Sequence, residues 1–315
     1  MAVYRSIDEL IGGTPTLDVS GLSPNPSVRL FAKLEGHNPT GSVKDRVALA
    51  MIDRAEADGT LQPRSTIIEP SSGNTGIALA MIGRRRGYRV KIVLPGNVTD
   101  ERRQMLDVYG AQIIASPAEQ GSNGAVRLAL ELAEANPDWT MLYQYGNEAN
   151  PEVHYRTTGP EIAADVPDIT HFVAGLGTSG TLLGVGRYLK EHLDGVEVWA
   201  VEPPAGEQVE GLRSLDDGYV PPIFENWGGA ELLDRKMIVR PRDSIEATRM
   251  LADEGVFSGI SGGAALAGAR KAATRIDAGV IVFVVSDHGW KYLSLGAWTH
   301  DLDVAVEHAE QVIYF

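Results

Sequence analysis

Short runs of β-branched and aliphatic residues recur along the chain, each closed by Gly, Pro, Ser or Asn. Val28–Leu34, Thr66–Glu69, Val90–Leu94, Gln112–Ala115, Met141–Tyr143, His171–Ala174, Val196–Val201, Met237–Val239 and Val280–Val285 read as strands. Most are continuously apolar rather than alternating, the pattern of strands covered on both faces in a parallel sheet. Between them, Ala125–Glu134, Glu246–Glu254 and Ala264–Thr274 carry apolar residues at helical spacing. Strand–helix alternation of this kind predicts an α/β fold. No repeat of fixed period, low-complexity tract or clear linker interrupts it. The stretch Asp216–Gly229, rich in Pro, Gly and Asp, reads as a long surface loop.

Composition narrows the function classes. The 315 residues are 43% hydrophobic and 22% charged, which is ordinary for a globular chain with a sizeable core. A net charge of −14 argues against a nucleic-acid surface. The basic run Arg84-Arg85-Arg86 and the pair Arg102-Arg103 read as solvated helix ends. The absence of cysteine excludes disulfides, thiolate metal sites and thiol nucleophiles. The seven histidines show no metal-ligand spacing, so no metal is expected. The opening MAVYRSIDEL has no signal-peptide core, and no apolar run nears the ~20 residues of a membrane span. A soluble, cytoplasmic chain is the expectation.

Ligands of open α/β sheets bind beyond the carboxyl ends of the strands. Three strand-to-helix junctions there are rich in Gly, Ser and Thr. Pro70-Ser71-Ser72-Gly73-Asn74-Thr75-Gly76 could collect a carboxylate or phosphate on converging N–H groups, or serve only as a well-capped helix start. Gly175-Leu176-Gly177-Thr178-Ser179-Gly180-Thr181 suits a phosphate better. It lacks the Lys-Ser/Thr of a P-loop and the spacing of a dinucleotide fingerprint. Gly259-Ile260-Ser261-Gly262-Gly263 fits the G-x-S-x-G nucleophile elbow, with Asp287 and His288 downstream in hydrolase order. A serine hydrolase on Ser261 is therefore an alternative. Its weakness is that adjacent residues of an extended chain point apart.

Lys44, in NPTGSVKDR, precedes the apolar run Val47–Ile52. An ammonium is costly there, and a desolvated lysine has a depressed pKa and can act as nucleophile and base. One reading uses all four features: a pyridoxal-phosphate (PLP) enzyme. Lys44 forms the Schiff base, Gly177–Thr181 holds the cofactor phosphate, Ser71–Gly76 receives a substrate carboxylate, and Ser261 meets the pyridine nitrogen.

The chain also resembles the cysteine synthase family of fold type II PLP enzymes. The resemblance runs through Ile11–Pro15, Asn38–Arg46, Pro70–Gly76, Gln144–Pro151, Thr158–Ile162, Gly177–Thr181 and Gly259–Ala264. Within that family it is most similar to the actinobacterial type that uses O-phosphoserine, through Met141–Asn147, Leu212-Arg213, Asp217–Pro221 and Gly289–Leu293. Ser71 and Ser179 depart slightly from the common residues.

The resemblance implies two open, twisted, mostly parallel sheets with flanking helices, like the tryptophan synthase β subunit. It implies a smaller domain over about 42–146, a larger one over 1–41 and 147–315, and PLP in the cleft between them. It assigns Lys44 as anchor and proton carrier and Asn74 to the cofactor ring hydroxyl. It assigns Gly177, Thr178, Ser179, Gly180 and Thr181 to the phosphate, and Ser261 to the ring nitrogen. Ser71, Ser72, Thr75 and Gln144 would bind the substrate carboxylate. The reaction implied is β-replacement through an aminoacrylate, making L-cysteine from O-phospho-L-serine, or from O-acetylserine and sulfide. The implied partners are an amino-acid substrate, a second copy in a homodimer, and a small sulfur-carrier protein with a C-terminal thiocarboxylate. Serine acetyltransferase is the partner in the O-acetylserine case. Arg213 is expected to bind the phosphate of O-phosphoserine rather than pair with Asp216 or Asp217. The apolar end Glu310–Phe315 reads as a core or dimer contact, or as a tail reaching the site mouth.

Overall fold

The computed structural model describes residues 3–71, 73–96 and 98–311. Among them, ten strands form two sheets. The strands are β1 (Thr16–Asp18), β2 (Val28–Leu34), β3 (Thr66–Pro70), β4 (Arg89–Pro95), β5 (Gln112–Ser116), β6 (Trp139–Met141), β7 (His171–Gly175), β8 (Glu197–Glu202), β9 (Arg235–Ile238) and β10 (Gly279–Val285). One sheet runs β1-β2-β10-β7-β8-β9 and the other β5-β4-β3-β6. Every pairing is parallel except β1 with β2. Two mostly parallel sheets with flanking helices are the architecture the resemblance implies.

Apolar strands are buried because helices cover both faces of each sheet. Ile281, Phe283 and Val201 of the larger sheet share one core with the helices Pro241–Asp253 and Ile260–Ala273. Phe172, Val198 and Val282 share another with the helix Gly180–His192. In the smaller sheet, Ile67 and Ile92 pack against the helices Lys44–Ala57 and Asn74–Arg86. The apolar run after Lys44 is thus this helix's core face. Met51 and Ile52 are fully buried on it, each stabilising the fold by about 1.5–3 kcal/mol.

Several boundaries differ from the sequence expectation. Of the expected strand Met141–Tyr143 only Met141 is in β6, Trp139–Met141, and the chain turns at Tyr143, whose φ is 58°. The stretch Asp216–Gly229 is not a loop throughout. It holds the short helix Pro222–Asn226, started by proline, and the beginning of Gly229–Leu232. The helix expected from Ala264 begins at Ile260, since Gly262 and Gly263 lie inside it. A Cβ on Gly263 would stand 2.0 Å from Thr248 Oγ1, so the neighbouring helix approaches where a side chain would block it. Arg84–Arg86 do end a helix, where Arg85 and Arg86 pair with Asp8 and Arg86 also with Asp53 and Glu56. No helix among the described residues is long and apolar enough to cross a membrane.

Candidate active site

The segment carrying Lys44 is stitched to the end of β10. Val43 N–H donates to Ser286 O at 2.8 Å, His288 N–H donates to Gly41 O at 3.2 Å, and Ser42 forms an isolated bridge with Asp287. Lys44 then begins the helix that packs on the smaller sheet. Its side chain lines two cavities that also share Val43, Gly211 and Ser286. The first has about 520 Å3 of open space and is walled by Ser71, Asn74, Thr75, Gln144, Tyr145, Glu210 and Ser261. The second, about 390 Å3, is walled by Gly177, Thr178, Ser179, Gly180 and Thr181. All three junctions and Lys44 therefore meet in one cleft. Burial pushes the Lys44 amine below its ordinary value, with Asp287 and Glu210 opposing the shift.

The two loops are built differently. In the first, Ser71 Oγ accepts from Gly73 N–H at 3.2 Å and Gly76 N–H at 3.1 Å. Thr75 Oγ1 donates to Gln144 Oε1 at 2.6 Å, and Gln144 Nε2 to Pro70 O at 3.2 Å. Asn74 Nδ2 donates to Asp287 Oδ2 at 2.7 Å. Ser72 lies outside the described residues. In the second loop, Ser179 holds φ 74° at the start of the helix Gly180–His192. A Cβ on Gly177 would stand 2.6 Å from Gly211 O, and one on Gly180 1.9 Å from Asn150 Oδ1. The backbone is thus the only group that fits there, at a helix N-terminus whose N–H groups favour an anion.

Sequence reading missed four supports. Asn150 Nδ2 donates both to Gln144 O at 2.9 Å and to Thr178 Oγ1 at 3.0 Å, joining the two loops. His154, fully buried, meets Thr181 Oγ1 at 3.1 Å. Asp287 receives Asn74 and the Tyr292 hydroxyl. Glu210 enters the cleft beside Lys44. Asn150 lies inside the Gln144–Pro151 motif, and Asp287 stood out only as a candidate triad acid; His154 and Glu210 had no signal beyond their residue type.

Two expectations are corrected. Arg102 is not a solvated helix end. It is 1% exposed, pairs with Glu210 and lies with its guanidinium carbon 4.7 Å from the Tyr292 ring centroid. The hydrolase triad is not assembled among the described residues. The Asp287 carboxylate is taken by Asn74 and Tyr292, and the His288 ring faces Phe257 O at 3.4 Å and the His37 ring at 5.7 Å. Ser261 instead faces Gly211, near the start of its helix.

Arg213 is 6% exposed. Its guanidinium carbon lies 4.5 Å from the Tyr219 ring centroid and 5.7 Å from that of Tyr145. Its Nη1 reaches Asn123 Oδ1 at 3.5 Å. It lines an adjoining cavity with Asn123, Val209 and Leu212, while Tyr145 forms wall of the Lys44 cleft. No group of His, Asp and Glu among the described residues could hold a metal ion.

The cleft fits a phosphorylated aromatic aldehyde. It offers an amine, a glycine cradle for a phosphate, and buried polar atoms, Asn74 Oδ1 and Ser179 Oγ, with no protein partner of their own. A buried polar atom without a partner is costly unless a ligand completes it.

Residues 7–287 match the family described as pyridoxal-phosphate dependent enzyme, and the chain belongs to it. Cysteine synthase B of Escherichia coli (strain K12) is 42% identical over 295 residues, 93% of this chain and 96% of that protein. Cysteine synthase (OASS) from Entamoeba histolytica superposes with a TM-score of 0.87 at 31% identity, covering 98% of this chain and 96% of that one. O-ureido-L-serine synthase does so with a TM-score of 0.86 at 37% identity, covering 93% and 94%. Within the family the chain is a PLP-dependent enzyme of the cysteine synthase type, catalysing β-replacement on an amino acid.

Proposed function

We propose that the chain is an O-phosphoserine sulfhydrylase of the actinobacterial type, making L-cysteine with sulfur from a thiocarboxylated carrier protein. The observation that carries this reading is Arg213, a buried guanidinium one wall away from Lys44. A guanidinium matches phosphate with two parallel hydrogen bonds. In this reading Arg213 would meet the β-substituent of a bound amino acid from behind the Tyr145 wall.

The other roles follow from chemistry at stated atoms. Bound PLP supplies the electron sink that makes the α-proton acidic and lets the β-substituent leave. Lys44 Nζ anchors the cofactor, then, freed by substrate, takes the α-proton and later returns it. Burial lowers its pKa, so more of it is free amine at neutral pH. Ser71, Thr75 and Gln144 receive the substrate carboxylate, and Asn74 orients the cofactor ring. Gly177, Thr178, Ser179, Gly180 and Thr181 hold the cofactor phosphate. Ser261 offers a neutral hydroxyl to the ring nitrogen, which protonates the ring less than a carboxylate would and favours prompt elimination. The smaller domain is assigned to 42–146, the larger to 1–41 and 147–315, with the cofactor between, in a cytoplasmic homodimer. Light scattering at the monomer mass would reject the dimer.

Arg213→Ala should lower kcat/KM for O-phosphoserine about a hundredfold or more, the scale of a lost charge-stabilising donor. O-acetylserine turnover should change far less. Equal losses with both donors would make Arg213 structural. The second reading, O-acetylserine with sulfide, would then stand. Names among the relatives favour it, including an O-acetylserine dependent cystathionine β-synthase from Helicobacter pylori with a TM-score of 0.86. If sulfide saturates the enzyme and no carrier protein binds, the carrier is rejected.

A further inference from the structure

Glu69, near the end of β3, is a buried carboxylate with 0% exposure. A buried charge ordinarily requires a cation. Here the groups that stabilise it are two backbone amides: Tyr143 N–H donates to Oε2 at 2.7 Å and Gln144 N–H to Oε1 at 2.8 Å. Both oxygens accept from backbone N–H groups, which favours the ionised acid against the burial that pushes its pKa up to about 7. Successive N–H groups around a left-handed residue form a concave anion nest. Tyr143, at φ 58°, is that residue, in a conformation that a bulky side chain adopts only under constraint.

This nest determines where Gln144 points. Its carbonyl is held by Asn150, its amide by Pro70 O, and its side-chain oxygen by Thr75 Oγ1. Each of these fixes an atom downstream of the Tyr143–Gln144 peptide. Glu69 fixes the peptide itself. The next residue, Tyr145, lines the same cleft and carries the Arg213 guanidinium beyond its ring.

We propose that Glu69 is a positioning residue for the amino-acid site, its carboxylate holding the left-handed turn at Tyr143 so that Gln144 faces the cleft beside Thr75 and Lys44. The inference deepens the reading above and rests on the role proposed there for Gln144. It concerns this chain's own residues and assigns Glu69 no contact with substrate or cofactor. A glutamine at 69 keeps the shape but has one acceptor oxygen in place of two. It would turn an NH2 group toward one of the two amides, leaving a donor against a donor.

The test is carried out on the PLP-loaded enzyme. Glu69→Gln should raise KM for the amino-acid donor about tenfold or more, the loss expected for a charge-assisted hydrogen bond. Its PLP dissociation constant and visible absorbance should match wild type. Adding Tyr143→Asn to that variant should recover much of the loss, because Asn tolerates the left-handed region and needs less holding. If Glu69→Gln alone does not fold, the double variant and Glu69→Asp carry the same comparison. An unchanged KM, or a loss of PLP affinity equal to the loss of substrate affinity, overturns the proposal. Gln144→Ala is measured alongside. If it leaves KM unchanged, the assignment of Gln144 falls and takes this one with it. If it raises KM while Glu69→Gln does not, only the positioning role of Glu69 falls.

Discussion

The two glycine-rich loops around Lys44 look alike in sequence and differ in what chiefly holds them. In Ser71–Gly76 the side chains do the organising: Ser71 caps the turn, Thr75 reaches Gln144, and Asn74 reaches Asp287. In Gly177–Thr181 the Thr178 and Thr181 hydroxyls also bond, to Asn150 and His154, but close packing is added to them: a Cβ at Gly177 or Gly180 would strike Gly211 or Asn150. A loop of hydroxyls and amides can exchange its internal partners for those of a ligand that comes and goes. A loop fixed by steric contact cannot rearrange cheaply, and suits a ligand that stays. The contrast suits the roles proposed for them, the transient amino acid at the first loop and the resident phosphate at the second.

The largest effect should come from the residue both loops share. Lys44→Ala should abolish turnover, by several orders of magnitude, since one amine is proposed to serve as anchor, base and acid. It should also remove the visible absorbance of the lysine-linked cofactor while thermal unfolding stays cooperative. Near-normal turnover would reject the site altogether. The next test separates the loops. Gly180→Ala should cost PLP affinity roughly a hundredfold, since its Cβ would sit 1.9 Å from Asn150 Oδ1. Thr75→Val should leave PLP affinity near wild type and raise KM for the amino acid about tenfold. If both variants lose the two ligands in equal proportion, the contrast between the loops is wrong.

The smallest effect concerns pH. Burial pushes Glu69 up to about 7 and Asp45 to about 6, from 4.5 and 3.8. The folded chain therefore holds these protons more tightly than the unfolded chain. Their contribution to stability is full below the ordinary carboxylate range and is lost as pH rises through about 6 to 7. Denaturant unfolding of the wild type should show this loss between pH of about 4 and about 7. Glu69→Gln and Asp45→Asn should each flatten the slope. Identical slopes in the wild type and both variants would contradict the shifts.

Much of this architecture could be read from the chain because its signals are local. Val28–Leu34 and Gln112–Ala115 are apolar runs bounded by turn residues, and they fold nearly as their pattern suggests. The three Gly/Ser/Thr junctions were equally visible, since a helix start that must admit a ligand needs small residues next to one another. Arg102 could not be read this way. Its burial depends on Glu210, 108 residues away, and a charge run says nothing about such a partner. Glu69 looked like the end of a strand because the two amides that justify its burial belong to a turn 74 and 75 residues further on. Ser72 was legible as a candidate but lies outside the described residues, as does the end of the tail from 312 onward.

The stitching of 41–43 to 286–288 has a mechanical consequence. The residues just before Lys44 are clamped to those that follow β10 in one sheet, while the helix it opens is bedded on the other. The amine therefore rides on the seam between two rigid slabs. A tilt of one slab against the other would act as a lever with its fulcrum a residue or two from the nitrogen, so small angular changes would move that atom little. The loops on either side lie further out on the arm and would swing more. Such a tilt would widen the cleft while the Lys44 amine, at the pivot, kept its place.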